Sequence, residues 1–257
     1  FMRGALRLSA LMQVPVVHVF SHDSFWVGED GPTHQPIEQL MSLRMIPGLY
    51  VIRPADARET AAAWRLALQR KQGDGPTAIL LTRQDLPVMP ETRESIDEGA
   101  YVLWQPDGDA ALDGILVATG SEVATALEAA RTLHTAHGRR VRVVSMPCWE
   151  AFLAQPASYR DEVLPPGLTR RLSVEAGTTF GWSRFAAHQH GLDPAIEVRQ
   201  QRLLDQRRGS GDARCRLRLL HNASPVRQPT VIALYHRMAV QPHDLLEQLG
   251  AKAVHHA

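Results

Sequence analysis

The chain alternates short apolar runs with longer stretches that have the hydrophobic spacing of helices. Apolar runs rich in β-branched residues predict strands at 15–20, 49–54 and 77–83, the first of them buried. Between these runs, helical spacing predicts helices over 36–45 and 56–71. Because strands that alternate with helices are typical of parallel sheets with crossover helices, this part of the chain predicts an α/β unit.

A second unit of the same kind follows a stretch rich in proline and charge. Its predicted strands lie at 114–120, 141–147 and 170–177. A helix is predicted directly after the first of these strands, with Ser121 as its N-terminal cap and Gly138 at its exit. The fold class is therefore α/β, with two units of mainly parallel sheet flanked by helices.

The predicted boundaries divide the chain into four parts. The first unit covers residues 1–95, a linker region covers 96–111, and the second unit covers 112–185. From residue 186 to 257 the alternation fades, and seven arginines lie within 199–218. We interpret this last part as a divergent segment that is either disordered or changed by a frameshift; a basic arm for an acidic partner is the alternative.

Composition excludes several classes of partner. A net charge of +1, with 44% hydrophobic and 21% charged residues, is typical of a globular protein and lacks the positive excess of nucleic-acid or membrane-surface binders. No apolar run reaches the ~20 residues of a membrane span. The two cysteines, Cys148 and Cys215, lack metal-ligand spacing. We therefore expect no zinc site and a reducing, cytoplasmic location.

Residues 21–36, SHDSFWVGEDGPTHQP, form the polar segment with the strongest chemical signal. The segment follows a predicted parallel strand, at the sheet edge where α/β proteins bind ligands. It contains two histidines and three acidic residues: His22, Asp23, Glu29, Asp30 and His34. Such groups can transfer protons near neutral pH or hold sugar hydroxyls and phosphate, although each can also serve only the loop backbone.

Several motifs closely resemble those of transketolases from residue 1 to about 185. They are RGALRLSALM, HDSxxxGEDGPTHQPIEQL, TRQDLP, YVL, ILVATGSEV, VRVVSMPCWEAFLAQPASYRDEVLP and VEAG, where x marks a position outside the match. The resemblance implies a partial pyrimidine-binding domain over 1–95 and a transketolase C-terminal-like domain over 112–185. It implies transfer of a two-carbon ketol group between sugar phosphates through thiamine diphosphate and Mg²⁺, in the pentose phosphate pathway.

The resemblance also implies roles for individual residues. His34 matches the catalytic histidine beside the reacting carbon, which also contacts donor hydroxyls, and Asp30 matches the residue that reads the neighbouring hydroxyl. His22 and Arg83 match the pair that holds the sugar phosphate, a task suited to the planar guanidinium fork. Phe1 matches an aromatic residue that lines the cofactor's pyrimidine pocket. No metal ligand is expected in this chain.

Three local features have alternative readings. Arg83 can pair with Asp85 in a turn instead of binding phosphate. The VATGSEVA turn can bind an anion through its glycine and serine, although a simple capped turn is the plainer interpretation. Phe25 and Trp26 replace the small residues that transketolases have after the HDS motif, so we expect them to narrow the phosphate site or change the acceptor.

We expect the chain to be part of a longer homodimeric transketolase and to be inactive alone. The ligands of the cofactor's diphosphate and of Mg²⁺ are expected outside these 257 residues. The alternatives are a separately encoded subunit of a split transketolase, a non-catalytic module, and an enzyme resembling dihydroxyacetone synthase, which shares the GEDGPTHQP motif. Neither a nucleic acid nor a membrane is an expected partner.

Overall fold

The structure, a computed structural model, describes residues 2–27 and 32–186. The predicted site residues Phe1 and Asp30 lie outside these ranges, as does nearly all of the segment 186–257. The described part folds into two α/β units, which confirms the predicted fold class.

The first unit contains three helices and three strands. In chain order they are α1 (Arg3–Leu11), β1 (Val17–Ser21), α2 (Gln39–Arg44), β2 (Tyr50–Ile52), α3 (Ala57–Gln69) and β3 (Thr77–Leu81), with a 3₁₀ helix at Pro32–His34 before α2. All three strands are parallel in the order β1-β3-β2. The Asp56 carboxylate caps α3 by accepting from the Glu59 amide at 3.0 Å.

The second unit contains four strands and three helices. They are β4 (Tyr101–Trp104), β5 (Gly114–Ala118), α4 (Glu122–His137), β6 (Val141–Ser145), α5 (Trp149–Leu153), α6 (Ala157–Val163) and β7 (Arg171–Val174), followed by a 3₁₀ helix at Trp182–Arg184. The strand order is β4-β6-β5-β7, and only the β4–β6 pair is antiparallel. Within the described residues, no helix combines the length and apolar character that a membrane span requires.

Two local predictions need correction. The strand predicted as buried at 15–20 is β1, which has β3 as its single partner within the described ranges and so lies at the edge of the sheet, and Val19 is 45% exposed. An apolar run does not distinguish an edge strand from a central one, because burial depends on which neighbours the fold supplies. The predicted linker 96–111 contains β4, whose four residues extend the second sheet and pair with β6.

One hydrophobic core joins the two units. Alanines on α3, among them Ala62 and Ala63, belong to the same buried cluster as Ala126, Ala129 and Ala130 on α4. Both helices therefore contribute small side chains to a core that the two units share. Ile52, at the end of β2, also forms an isolated bridge with Cys148 of the second unit. The carboxyl end of β2 in the first sheet therefore packs directly against the second unit.

Candidate active-site edge and the junction behind it

Sheet register brings two of the predicted phosphate-binding residues to the same edge. Ser21 and Leu81 are paired at the ends of β1 and β3, and His22 and Arg83 follow them directly or after one residue. The Asp23 amide donates to the Leu81 carbonyl at 3.2 Å, which ties the two strand ends together. His22 and Arg83 are both exposed, so their side chains are available to a ligand.

His22 has an unusual backbone conformation. Its φ is +63°, in the left-handed region that a non-glycine residue occupies at a cost of about 1–2 kcal/mol. Its Nδ1 lies 3.0 Å from the Ser21 hydroxyl, and no other hydrogen bond involves this ring in the described part of the chain. A strained residue persists only where its neighbours hold it in place. The source of that support is the residue that follows, Asp23.

Asp23 is buried and paired with Arg53, which lies directly after β2. Arg53 is fully buried, and its Nε donates to Asp23 Oδ2 at 2.6 Å. Its Nη1 donates to the Thr119 carbonyl at 2.8 Å and also to the Glu122 carboxylate. Burial by itself lowers the pKa of Arg53, but the charges of Asp23 and Glu122 raise it by more, so the guanidinium stays charged.

The Arg53 guanidinium packs against the VATGSEVA turn. Gly120 has φ +62°, and a Cβ at this position would lie 2.5 Å from Arg53 Cζ. The Arg53 side chain therefore fills the space beside this turn, and the Glu122 carboxylate balances its charge. The prediction that Ser121 caps α4 with its side chain is wrong. Its hydroxyl donates to Glu122 Oε1 at 2.6 Å and accepts from Arg53 Nη2 at 3.3 Å.

Glu122 connects this cluster to the loop that follows His22. Its Oε1 accepts from the Trp26 indole Nε1 at 3.2 Å, and its Oε2 accepts from the Ala176 amide at 2.9 Å. Phe25 is 3% exposed and packs against the Trp26 ring, with centroids 5.1 Å apart. The Phe25 ring therefore lies in the interior, and the Trp26 indole hydrogen-bonds to the second unit, while their predicted effect on the phosphate site stays a prediction.

His34 lies at the end of the 3₁₀ helix, and its side chain is exposed. Its Nδ1 is 3.0 Å from the Thr33 hydroxyl. The chain after it is held by the second unit, since the Thr178 amide donates to the Ile37 carbonyl at 3.1 Å. Among the described residues, His34 forms no hydrogen bond with His22.

A second buried ion pair anchors α2, which follows His34. Arg44 donates to both oxygens of Glu175 at 2.8 and 2.9 Å. Its guanidinium stacks over the Trp149 ring at 4.0 Å, and Glu175 also accepts from the Trp182 indole at 2.7 Å. Bidentate contacts and stacking of this kind suit arginine rather than lysine.

The ligand-binding roles predicted for His22, His34 and Arg83 stay predictions. His22, His34 and Arg83 are exposed where a ligand could reach them, and Arg83 forms no ion pair with Asp85 in the described part of the chain. Sequence reasoning did not identify the buried charged residues behind the edge: Arg53, Glu122, Glu175 and Arg44. The signal was present, because each is a charged residue within or directly beside an apolar strand or helix.

The described residues contain no group of three side chains that could hold a metal ion.

Comparison with known families agrees with this arrangement. The family model described as "Transketolase, pyrimidine binding domain" matches residues 1–89. The model described as "Transketolase-like TK C-terminal domain" matches residues 99–194. The two α/β units are thus the pyrimidine-binding and C-terminal parts of a known enzyme architecture. The chain belongs to the transketolase family.

Individual relatives support the same assignment. The transketolase of Geobacillus stearothermophilus is 55% identical over 189 residues, which cover 72% of this chain and 28% of the relative. The transketolase of Mycobacterium tuberculosis strain H37Rv is 53% identical over 186 residues, or 71% of this chain and 26% of the relative. The chain thus spans less than a third of the length of these relatives.

A solved structure also superposes on the chain. A Pichia stipitis transketolase mutant, R356L, in complex with fructose 6-phosphate, has a TM-score of 0.68 and 38% identity, covering 80% of this chain and 32% of that chain.

Proposed function

We propose that this chain supplies the phosphate-binding edge of a transketolase active site. The observation that carries the proposal is the β1–β3 register, which pairs Ser21 with Leu81 and so brings His22 and Arg83 to one exposed edge. A planar guanidinium donates two hydrogen bonds to phosphate oxygens, and a histidine beside it adds a third donor. The family membership and the fructose 6-phosphate complex of the Pichia stipitis relative support a sugar phosphate as ligand.

His34 and Asp30 complete the proposed sugar site. An exposed imidazole can donate to or accept from a sugar hydroxyl, so His34 suits proton transfer at the hydroxyls of the donor ketose. Asp30 would accept from the hydroxyl next to the reacting carbonyl. In the proposed reaction, a ketose phosphate donates a two-carbon ketol group to an aldose phosphate.

Thiamine diphosphate with Mg²⁺ would supply the carbon nucleophile of this reaction. Since the described residues offer no metal site, we propose that the diphosphate and Mg²⁺ are held elsewhere in a homodimeric, cytoplasmic enzyme. The 257-residue chain with added cofactor, Mg²⁺, fructose 6-phosphate and an acceptor aldose phosphate should then transfer no detectable ketol group to the acceptor, and so release no detectable erythrose 4-phosphate. Measurable turnover by the chain alone would contradict this part of the proposal.

The binding proposal is tested by titrating the chain with fructose 6-phosphate and, separately, with fructose. Charge-assisted hydrogen bonds contribute about 1.5–3 kcal/mol, so Arg83→Ala should weaken binding of the phosphate ester by about 10- to 100-fold. His22→Ala should weaken it by a smaller factor, and neither change should alter the response to fructose. Arg65→Ala on α3, which removes another exposed arginine, is the matched control.

Equal affinity for the two sugars, or equal losses in Arg83→Ala and Arg65→Ala, would refute phosphate binding at this edge.

A further inference from the structure

We infer that Glu122, in the second unit, is a positioning residue for the phosphate-binding loop of the first unit. The inference rests on the proposed function of His22, and it concerns how that histidine is held rather than what it binds. Glu122 does not contact the exposed edge. It acts through Arg53 and Asp23, and through the Trp26 indole.

The loop needs support from outside itself. His22 occupies the left-handed region, and among the described residues its ring hydrogen-bonds only with the adjacent Ser21. The residues that follow it are buried: Asp23 is 6% exposed and Ser24 is 1% exposed. A buried turn of this kind can hold a strained neighbour only if its polar groups are themselves fixed. Those groups lead to the second unit.

Two separate connections from the loop converge on one carboxylate. Glu122 Oε1 accepts from the Trp26 indole, while Oε2 accepts from the Arg53 guanidinium that holds Asp23. The remaining capacity of the carboxylate is used within its own unit, by Ser121 and Ala176. Glu122 is therefore fixed by the second unit and in turn fixes both ends of the segment 23–26.

The charges make this arrangement sensitive to a neutral substitution. Arg53 is fully buried between Asp23 and Glu122, whose side chains are 2% and 3% exposed. Glu122→Gln removes one of the two carboxylates that balance Arg53 and places an amide donor where an acceptor is needed. It keeps one oxygen, which can still accept from Trp26. Trp26→Phe removes the other connection, since it lacks the indole donor but leaves both carboxylates with Arg53.

Amide hydrogen exchange of the ¹⁵N-labelled chain measures loop order without requiring a ligand. The Asp23 amide donates to Leu81, so its exchange reports whether the loop stays closed on the sheet. We expect Glu122→Gln to speed exchange of this amide by about tenfold or more, equivalent to ~1.4 kcal/mol of local opening. Trp26→Phe should speed it by a smaller factor. Fructose 6-phosphate affinity should fall in the same order.

Ser145→Ala is the control, because it removes a buried hydrogen bond to Glu59 at the same junction without touching the loop. Urea is adjusted so that all variants have equal global stability. The inference fails if the Asp23 amide then exchanges equally fast in Ser145→Ala and Glu122→Gln.

If Glu122→Gln does not fold, Trp26→Phe decides the question alone: unchanged Asp23 exchange overturns the inference and faster exchange supports it. Failure of the wild-type chain to bind fructose 6-phosphate would count against the proposed function only, because the exchange comparison still reports on positioning.

Discussion

The buried cluster of Arg53, Asp23 and Glu122 can be tested with a matched pair of substitutions, because Gly120 lies directly against Arg53. Gly120 and Gly138 have nearly the same backbone conformation, with φ of +62° and +64°. A Cβ added at Gly138 would meet no atom within 4 Å, whereas one added at Gly120 would lie 2.5–2.6 Å from three atoms of the Arg53 guanidinium. The two glycine-to-alanine variants therefore share the backbone strain and differ in the collision with Arg53.

The expected magnitudes follow from these two contributions. Left-handed strain on alanine costs about 1–2 kcal/mol, so Gly138→Ala should lower the free energy of unfolding by that amount. In Gly120→Ala the guanidinium must also move, although it is fully buried and hydrogen-bonded to Asp23, Thr119 and Glu122. Because disrupting a buried ion pair costs about 3–5 kcal/mol, the total loss should reach roughly 4–7 kcal/mol.

Urea unfolding followed by far-UV circular dichroism measures this difference. The midpoint shift at constant m-value gives the change in stability for each variant. A loss of 4 kcal/mol or more is a large part of the stability of an ordinary domain, so Gly120→Ala should be mostly unfolded or insoluble at 37 °C, while Gly138→Ala remains folded. Losses that agree within about 0.5 kcal/mol would refute the assignment of a rigid, structurally essential Arg53 cluster.

Three further predictions concern the junction between the units. Burial raises the pKa of Glu59, so the folded chain keeps a proton that the unfolded chain releases. The free energy of unfolding should therefore fall as pH rises from the ordinary glutamate range through the raised pKa. Glu59→Gln should lack this slope when urea titrations are repeated at several pH values. Asp56→Ala removes the α3 cap and an acceptor for Met89 and should cost about 2–4 kcal/mol in the same assay, with Asp56→Asn costing less. Arg44→Lys keeps the charge but loses the bidentate pairing with Glu175, so it should lower the free energy of unfolding. A stability equal to that of the wild-type chain would contradict a stabilising role for this ion pair.

Local signals in the sequence predicted the parts of the fold that depend on local chemistry. The helix predicted over 56–71 is α3, with Asp56 as its cap, because a carboxylate before an alanine-rich stretch satisfies the first free amides. Gly138 ends α4 with a left-handed residue, as predicted. The sequence placed the segment 21–36, which contains His22, after the carboxyl end of a parallel strand, and β1 ends at Ser21, directly before His22. The pairing of His22 with Arg83 came from the family resemblance alone.

Long-range polar pairing could not be predicted in the same way. Nothing local to Arg53 indicates that its partners are Asp23, 30 residues before it, and Glu122, 69 residues after it. The same holds for Trp26, which the sequence placed at the phosphate site and the structure places against Glu122. A buried charge selects its partners by what the tertiary fold brings near it, and a single sequence carries that information only as an unexplained charge in an apolar run.

The junction also bears on what the second unit contributes. It contacts the chain just after each exposed histidine of the first unit. The loop after His22 is bonded to Glu122. The chain after His34 is bonded to Thr178 and, through Arg44, to Glu175. These contacts are buried or partly buried, and the carboxylates of Glu122 and Glu175 each hold further hydrogen-bond partners in the second unit. A unit that only covered apolar surface would need no such set of directed polar contacts, because hydrophobic burial is not directional. The contacts therefore favour a second unit whose task is to fix the geometry of a binding edge that lies in the first.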